Sequence, residues 1–232
     1  MGVLVFLLSL LPLAGGYHMN LMKAESPGPS VSKLVPKVQS TAKILYTIYF
    51  GMTLIQLALL LIGRVPLFDS LCITFGTAGT GGFGIVNDSL GSYSTYCQVV
   101  TTIFMILFGV NFSAYYLILT KKFRQAFKYE EVRYYFGIIA VAIVIIALNT
   151  AHLFRNLLTA FQQAAFQVGS IITTTGFSST DFNQWPALSK TVLVLLMFVG
   201  ACAGSTGGGI KVSRILILCK AAKKEFQLYL HP

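Results

Sequence analysis

Apolar positions in this chain gather into charge-free runs, and the polar residues that interrupt them fall into a recurring order. Residues 44–63 form one run of spanning length, residues 96–120 a second that ends in Lys121, Lys122 and Arg124, and residues 134–151 a third; residue 191 opens a fourth. A hydrocarbon core about 30 Å thick takes roughly 20 apolar residues in a helix, so each run predicts a membrane span. Two further apolar runs are too short to cross. Residues 67–78 would make a helix of only about 18 Å, and residues 157–172 are of the same kind. Each is followed by residues that break a helix: Gly79-Thr80-Gly81-Gly82-Phe83-Gly84 after the first, Thr173-Thr174-Thr175-Gly176-Phe177-Ser178-Ser179 after the second. Irregular backbone survives at membrane depth only where it lines water or protein. The pattern therefore predicts re-entrant helices, each followed by an extended loop returning to the outer side, where Asn87 and Asp88 with Ser89, Gly91 and Ser92 mark a polar turn.

The order repeats. Gly82-Phe83 aligns with Gly176-Phe177 at a period of 94 residues, and the same shift superposes Thr80 on Thr174 and leaves Asp88 and Asp181 just beyond each loop. Such a period is far too long for a solenoid and suits a duplicated helix, pore loop, helix unit. The predicted fold class is an all-α polytopic membrane protein of repeated helix, re-entrant pore loop, helix units. Residues 44–120 form one unit and 134–232 another, joined by a cytoplasmic loop over 121–133. Ahead of them, residues 1–22 read as the end of an outer-to-inner helix, and residues 23–43, with Ser26-Pro27-Gly28-Pro29-Ser30, as a cytoplasmic linker.

Composition agrees: 55% of residues are hydrophobic, 10% are charged, and the mean hydropathy is +0.74. The formal net charge of +10 would suit a nucleic-acid binder if it were spread over a soluble domain. Here the basic residues flank apolar runs. The predicted topology puts thirteen inside, Lys23, Lys33, Lys37, Lys43, Lys121, Lys122, Arg124, Lys128, Arg133, Arg214, Lys220, Lys223 and Lys224. Three, Arg64, Arg155 and Lys190, fall outside, and Lys211 falls within the membrane. That is the asymmetry of the positive-inside rule. It also disfavours reading residues 2–16 as a signal peptide, which has no basic residue ahead of its apolar core and would place the first basic loop outside. Cys72, Cys97, Cys202 and Cys219 lack the spacing of a zinc site or disulfide framework and are expected to be free thiols. Asp69, Asp88 and Asp181 fall near the outer loops, where carboxylates would concentrate cations, although Asp69 in a first helical turn equally suits a cap.

The Thr-Gly loops suggest an ion pathway. Carbonyls at closely spaced, extended positions replace the water of an entering potassium ion, glycine permits the backbone angles, and Thr hydroxyls can add ligands. Each short helix would also aim its partially negative C-terminus at the loop. The alternative is that Thr and Gly only allow close helix packing.

At these residues the chain resembles the Trk/Ktr/HKT superfamily of potassium transporters, and within it the bacterial TrkH-like membrane subunits. The most specific stretches are Phe75-Gly76-Thr77-Ala78-Gly79-Thr80-Gly81-Gly82-Phe83, Thr173-Thr174-Thr175-Gly176-Phe177 and Gly200-Ala201-Cys202-Ala203-Gly204-Ser205-Thr206-Gly207-Gly208-Gly209-Ile210-Lys211. The resemblance implies four units around one pore, of which this chain would carry the end of the first, the second and most of the third, as a fragment. It implies potassium-binding carbonyls at Thr80, Gly81 and Gly82 and at Thr174, Thr175 and Gly176, with no cofactor. It also implies a bacterial inner-membrane location, a cytosolic ring of nucleotide-binding regulatory subunits as partner, and a homodimer of the full-length parent.

The Gly-rich break at residues 200–211 admits several readings. A nucleotide-binding loop fails because Ile210 separates Gly209 from Lys211. A serine-protease elbow at Ala203-Gly204-Ser205-Thr206-Gly207 with His152 as base requires the two side chains to meet, whereas the topology puts them on opposite sides. A non-conducting scaffold with packing glycines is a further alternative. The resemblance instead implies an intramembrane gating loop, Gly204, Ser205, Thr206, Gly207, Gly208, Gly209 and Lys211, obstructing the pore below the filter. Lys211 would then place positive charge in the cation path, unless it snorkels to the inner interface.

Overall fold

The structure, a computed structural model, describes residues 38–126 and 128–230; the helix end at 1–22 and most of the linker lie outside the described residues. Nine α-helices are formed among them: α1 (Val38–Ile62), α2 (Leu67–Ala78), α3 (Thr95–Phe108), α4 (Phe112–Leu119), α5 (Phe123–Ala126), α6 (Glu130–Thr150), α7 (Leu157–Ile172), α8 (Ala187–Phe198) and α9 (Val212–Leu230). α1 starts ahead of the apolar run, because no proline or glycine follows Pro36 until Gly51 and the helix extends into the polar approach.

Among the described residues, two helices are long and apolar enough to cross a membrane, over Lys43–Ile62 and Glu130–Leu153. Their outer faces carry large exposed apolar side chains, among them Phe50, Leu54 and Ile55 on α1 and Val141, Val144 and Leu148 on α6. Exposed apolar surface on this scale is costly in water and natural against lipid tails.

Re-entrance is visible in the contacts. α1 and α3 meet at the end where α2 begins, since the Tyr96 hydroxyl in the first turn of α3 donates to the Leu59 carbonyl near the end of α1 (3.1 Å). The chain between them, α2 and its loop, has entered and left by the same side. The second unit does likewise: Ser189 at the start of α8 donates to Asn149 near the end of α6 (2.8 Å). α2 and α7 have 12 and 16 residues, about 18 and 24 Å, too short to cross.

The run at 96–120, continuous in sequence, is bent by 94° between α3 and α4. Asn111 accounts for the break, because its side chain accepts from the Ser113 amide (2.8 Å) and caps a new helix, satisfying a donor otherwise left open. Opposite the break lies Tyr135, fully buried, whose hydroxyl donates to the Ile106 carbonyl (3.0 Å). α8 stops after 12 residues, so in both units the third helix is interrupted part-way.

The units interlock. Phe166 and Phe177 of the second unit insert into the core of the first with Leu60, Ile73 and Phe108, while Val110 and Ala114 of the first join the second unit's core around Tyr135 and Ile146. α7 packs on α3 across the boundary.

A Cβ on Gly109 would lie 2.2 Å from the Tyr135 hydroxyl and 2.9 Å from Thr173 Cγ2. Gly109→Ala is therefore expected to destabilise the protein by about 1–3 kcal/mol through overpacking, and adding Tyr135→Phe, which removes the nearest atom, should restore part of that loss. Thermal unfolding of the detergent-solubilised variants checks both.

Candidate functional site

The loops after α2 and α7 share one backbone pattern. The amides of Gly79, Thr80, Gly81 and Gly82 donate to the carbonyls of Phe75, Thr77, Gly76 and Gly76; those of Thr173, Thr174, Thr175 and Gly176 donate to Gly169, Ile171, Ser170 and Ser170. Every donor and every acceptor is shifted by 94 positions. The amides thus turn back onto the last turn of the short helix. In a trans peptide the C=O points opposite to the N–H, and no cis bond is present among the described residues. The carbonyls preceding those amides, including Thr80, Gly81, Thr174 and Thr175, consequently face away from the helix.

The loops match in handedness too. Thr80 (φ 51°) and Thr174 (φ 58°) lie in the left-handed region, as do Gly82 (φ 64°) and Gly176 (φ 91°). For a β-branched residue this is a true outlier, stored strain of about 1–3 kcal/mol that the surroundings must hold. The threonine hydroxyls hold it. Thr80 Oγ1 shares its one proton between the carbonyls of Gly79 (2.7 Å) and Thr206 (3.1 Å), and Thr174 Oγ1 accepts from the Gly208 amide (2.6 Å). The Thr175 hydroxyl bonds to that of Thr173 (2.7 Å), which donates to Gly169. These hydroxyls, considered from sequence as extra ion ligands, already have protein partners, and the carbonyls are the groups left to face outward.

Residues 199–211 pass directly beneath, meeting the break in the first unit. Phe112 donates to Gly204 (3.0 Å), Cys202 to Gly109 (3.0 Å) and Thr206 to Phe108 (3.3 Å). The segment closes on itself through a parallel bridge between Val199 and Ile210 and the bond from Gly200 to the Ile210 carbonyl (2.8 Å). Lys211, half-buried, turns its ammonium onto the Gly207 carbonyl within the same segment. Ser205 Oγ donates to Cys202 (2.6 Å). His152 follows the far end of α6, about 30 Å along a 21-residue helix from Glu131, which bonds Ala203 beside Ser205. The protease geometry is absent.

Glu131 is a site residue with no signal from motif or repeat. Its carboxylate, buried at 9% exposure, accepts from the amides of Ala203 (2.6 Å) and Ser213 (3.2 Å). An acid in the first turn of a helix reads locally as a dipole-compensating residue. The outer acids are engaged in local structure. Asp69 accepts from Tyr93 (2.8 Å), whose phenol burial and this bond push up to about 12. Asp88 accepts from Ser92, and Asp181 caps the turn at Phe182–Gln184. The four cysteines are free thiols.

Duplicated re-entrant helices, with two loops of one geometry over a third irregular segment, define a polytopic all-α membrane protein of the pore-loop class. Residues 1–232 match the TrkH family model, described as a cation transport protein. The chain belongs to the TrkH family. It is 34% identical over 237 residues to the Trk system potassium uptake protein TrkH of Salmonella typhimurium, covering 100% of this chain and 49% of that protein. It is 30% identical over 236 residues to TrkG of Escherichia coli strain K12, with the same coverage. The crystal structure of the potassium transporter TrkH from Vibrio parahaemolyticus superposes with a TM-score of 0.83 at 28% identity, covering 99% of this chain and 48% of that one. The chain spans about half the length of the curated relatives it matches.

The aligned glycines have different neighbours. A Cβ on Gly82 would lie 2.0 Å from the Thr175 carbonyl oxygen, whereas one on Gly176 meets nothing within 4 Å. Alanine at either costs about 1–2 kcal/mol for its left-handed backbone, and only Gly82→Ala must also displace the facing loop. Gly82→Ala is expected to lower the thermal midpoint clearly more than Gly176→Ala, measured on purified protein in detergent.

Proposed function

We propose that the chain forms part of a potassium pathway across the bacterial inner membrane, with the carbonyls of Thr80, Gly81, Gly82, Thr174, Thr175 and Gly176 as its share of the ion filter. The observation that carries this is the common hydrogen-bond pattern of the two loops. It spends the amides on the short helices and frees the carbonyls of Thr80, Gly81, Thr174 and Thr175, the arrangement that replaces an ion's hydration shell; Gly82 and Gly176 join them by the family resemblance. Residues 79–84 and 173–179 contain no charged side chain, so the site suits a monovalent cation that must bind and leave again. No cofactor enters the proposal, and the ion is cargo. The curated relatives carry the name of potassium uptake proteins.

The packing supports a ring of such units. Gly82 faces Thr175 of the next loop, and Phe177 reaches back onto Gly76 of the preceding short helix, its ring 2.9 Å from where a Cβ there would sit. Contacts of this head-to-tail kind leave one unmatched face at each end until a ring closes. Both ends show it: Gly176 faces open space, and Phe83, the counterpart of buried Phe177, is 83% exposed. Residues 204–211 take the role of a gating loop, beneath the filter and bonded to both halves of it through Thr80 and Thr174. Lys211 puts a positive charge in that loop, where it opposes a cation.

The cytosolic ring of regulatory subunits fits the basic inner segments, including Arg214, Lys220, Lys223 and Lys224, all exposed on α9, and the parent is read as a homodimer. Lys220 is paired with Glu130, so Lys223 and Lys224 are the freer charges for that contact.

A chimera in which this chain replaces the matching half of the Vibrio parahaemolyticus transporter tests the reading. It should restore growth of potassium-uptake-deficient cells at low external potassium, and Gly82→Ser or Gly176→Ser should reduce its preference for potassium over sodium in flux assays. Unchanged selectivity in both variants would remove the filter assignment.

A further inference from the structure

The stretch 204–212 is bracketed by two backbone amides that one side chain from a distant helix holds. Glu131 sits in the first turn of α6, and one of its oxygens, Oε1, accepts from Ala203 within the 199–211 segment, just ahead of Gly204 (2.6 Å), and from Ser213 just past its end (3.2 Å). Ser213 is the second residue of α9. Its amide is one of the donors that a helix start leaves without an intrahelical partner, here satisfied by an anion from another helix. A carboxylate nine-tenths buried is stable only while such donors face it. Release of the segment would cost two charge-assisted bonds together with the carboxylate's compensation.

The geometry points to Glu131 as the clamp that holds the 199–211 segment closed, a positioning residue that sets how readily the segment leaves its place. Segment and helix start converge on a single oxygen, so loss of the Glu131 side chain frees both together, whereas a shift of α9 loosens the Ser213 bond first. The neighbouring residue makes α9 the lever. Glu130 pairs on the surface with Lys220, two turns further along α9, and an exposed pair of this kind contributes little to stability. Glu131 and Ser213 also line an open groove with Tyr129, Leu216 and Lys220, so a force applied to the exposed face of α9 reaches the clamp through a few side chains. This rests on the reading of residues 204–211 as a gate, and it adds what keeps the gate shut.

The segment carries its own reporter. Cys202 is fully buried beside Ala203, and Cys97, fully buried in the first unit's core, reports on overall folding. In the chimera, reconstituted in liposomes, Glu131→Ala should raise the rate of Cys202 modification by a soluble maleimide at least about tenfold, as loss of one hydrogen bond to a charged group predicts, with Cys97 still protected. Glu131→Gln, which keeps an acceptor oxygen and loses the charge, should fall between Glu131→Ala and the parent. Rubidium leak should rise in the same order. An unchanged ratio of Cys202 to Cys97 labelling in both variants overturns the clamp, and if Glu131→Ala exposes Cys97 as well, the ratio in Glu131→Gln decides alone. Faster Cys202 labelling with unchanged leak leaves the clamp standing and removes the gate reading instead.

Discussion

Everything irregular in this molecule is constrained by the demand that backbone N–H and C=O groups inside an apolar medium find partners within the protein. Among the described residues, four such stretches depart from helix: the two Thr-Gly loops, the break between α3 and α4, and the segment from 199 to 211. They lie together because they supply one another's partners. The break offers the carbonyls of Phe108 and Gly109 to Thr206 and Cys202, the segment returns the Gly204 carbonyl to Phe112, and Thr80 and Thr174 reach down to Thr206 and Gly208. Separated, each would leave groups unsatisfied at several kcal/mol apiece.

That mutual dependence ties the two Thr-Gly loops to the segment beneath them. The left-handed backbone of Thr80 and Thr174 is strained, and hydroxyl bonds that hold it end on that segment. A displacement of residues 204–209 would therefore withdraw support from both Thr-Gly loops at once. The second loop is the better braced, with Ser170 donating to Phe177 (2.5 Å) and Thr173 bonding Thr175; Gly76, Gly79 and Gly81 stand at those positions in the first. The first loop depends more on its neighbours, as the close approach of Gly82 to Thr175 shows.

The repeats are equivalent in backbone and unequal in environment. A shift of 94 residues maps one hydrogen-bond set onto the other, yet Phe177 is buried where Phe83 is exposed. Duplication preserves what is local to a unit, and head-to-tail packing then gives each copy a different neighbour. The same logic explains why the segment after α8 is long while the break after α3 is three residues: both interrupt the third helix of a unit, but the longer one also lies under both loops.

Class and the location of the short helices and their loops were legible in the sequence, because the thickness of a bilayer turns run length into structure. The apolar runs at 67–78 and 157–172 were visibly too short to cross, and the Thr-Gly runs after them unfit for helix. The repeat linked Gly82 to Gly176 without any coordinates. The bend after Phe108 was not legible, since residues 96–120 are apolar throughout and Asn111 becomes a cap only once the segment around Gly204 takes up the freed amide of Phe112. The use of the threonine hydroxyls was equally hidden, because a hydroxyl's partner depends on what lies beneath it. Glu131 makes the point most plainly: its partners are 72 and 82 residues away, and what an acid in a first helical turn does is decided by the backbone that tertiary packing brings against it. Local chemistry and membrane thickness are properties of the chain, whereas the pairing of distant polar groups exists only after it has folded.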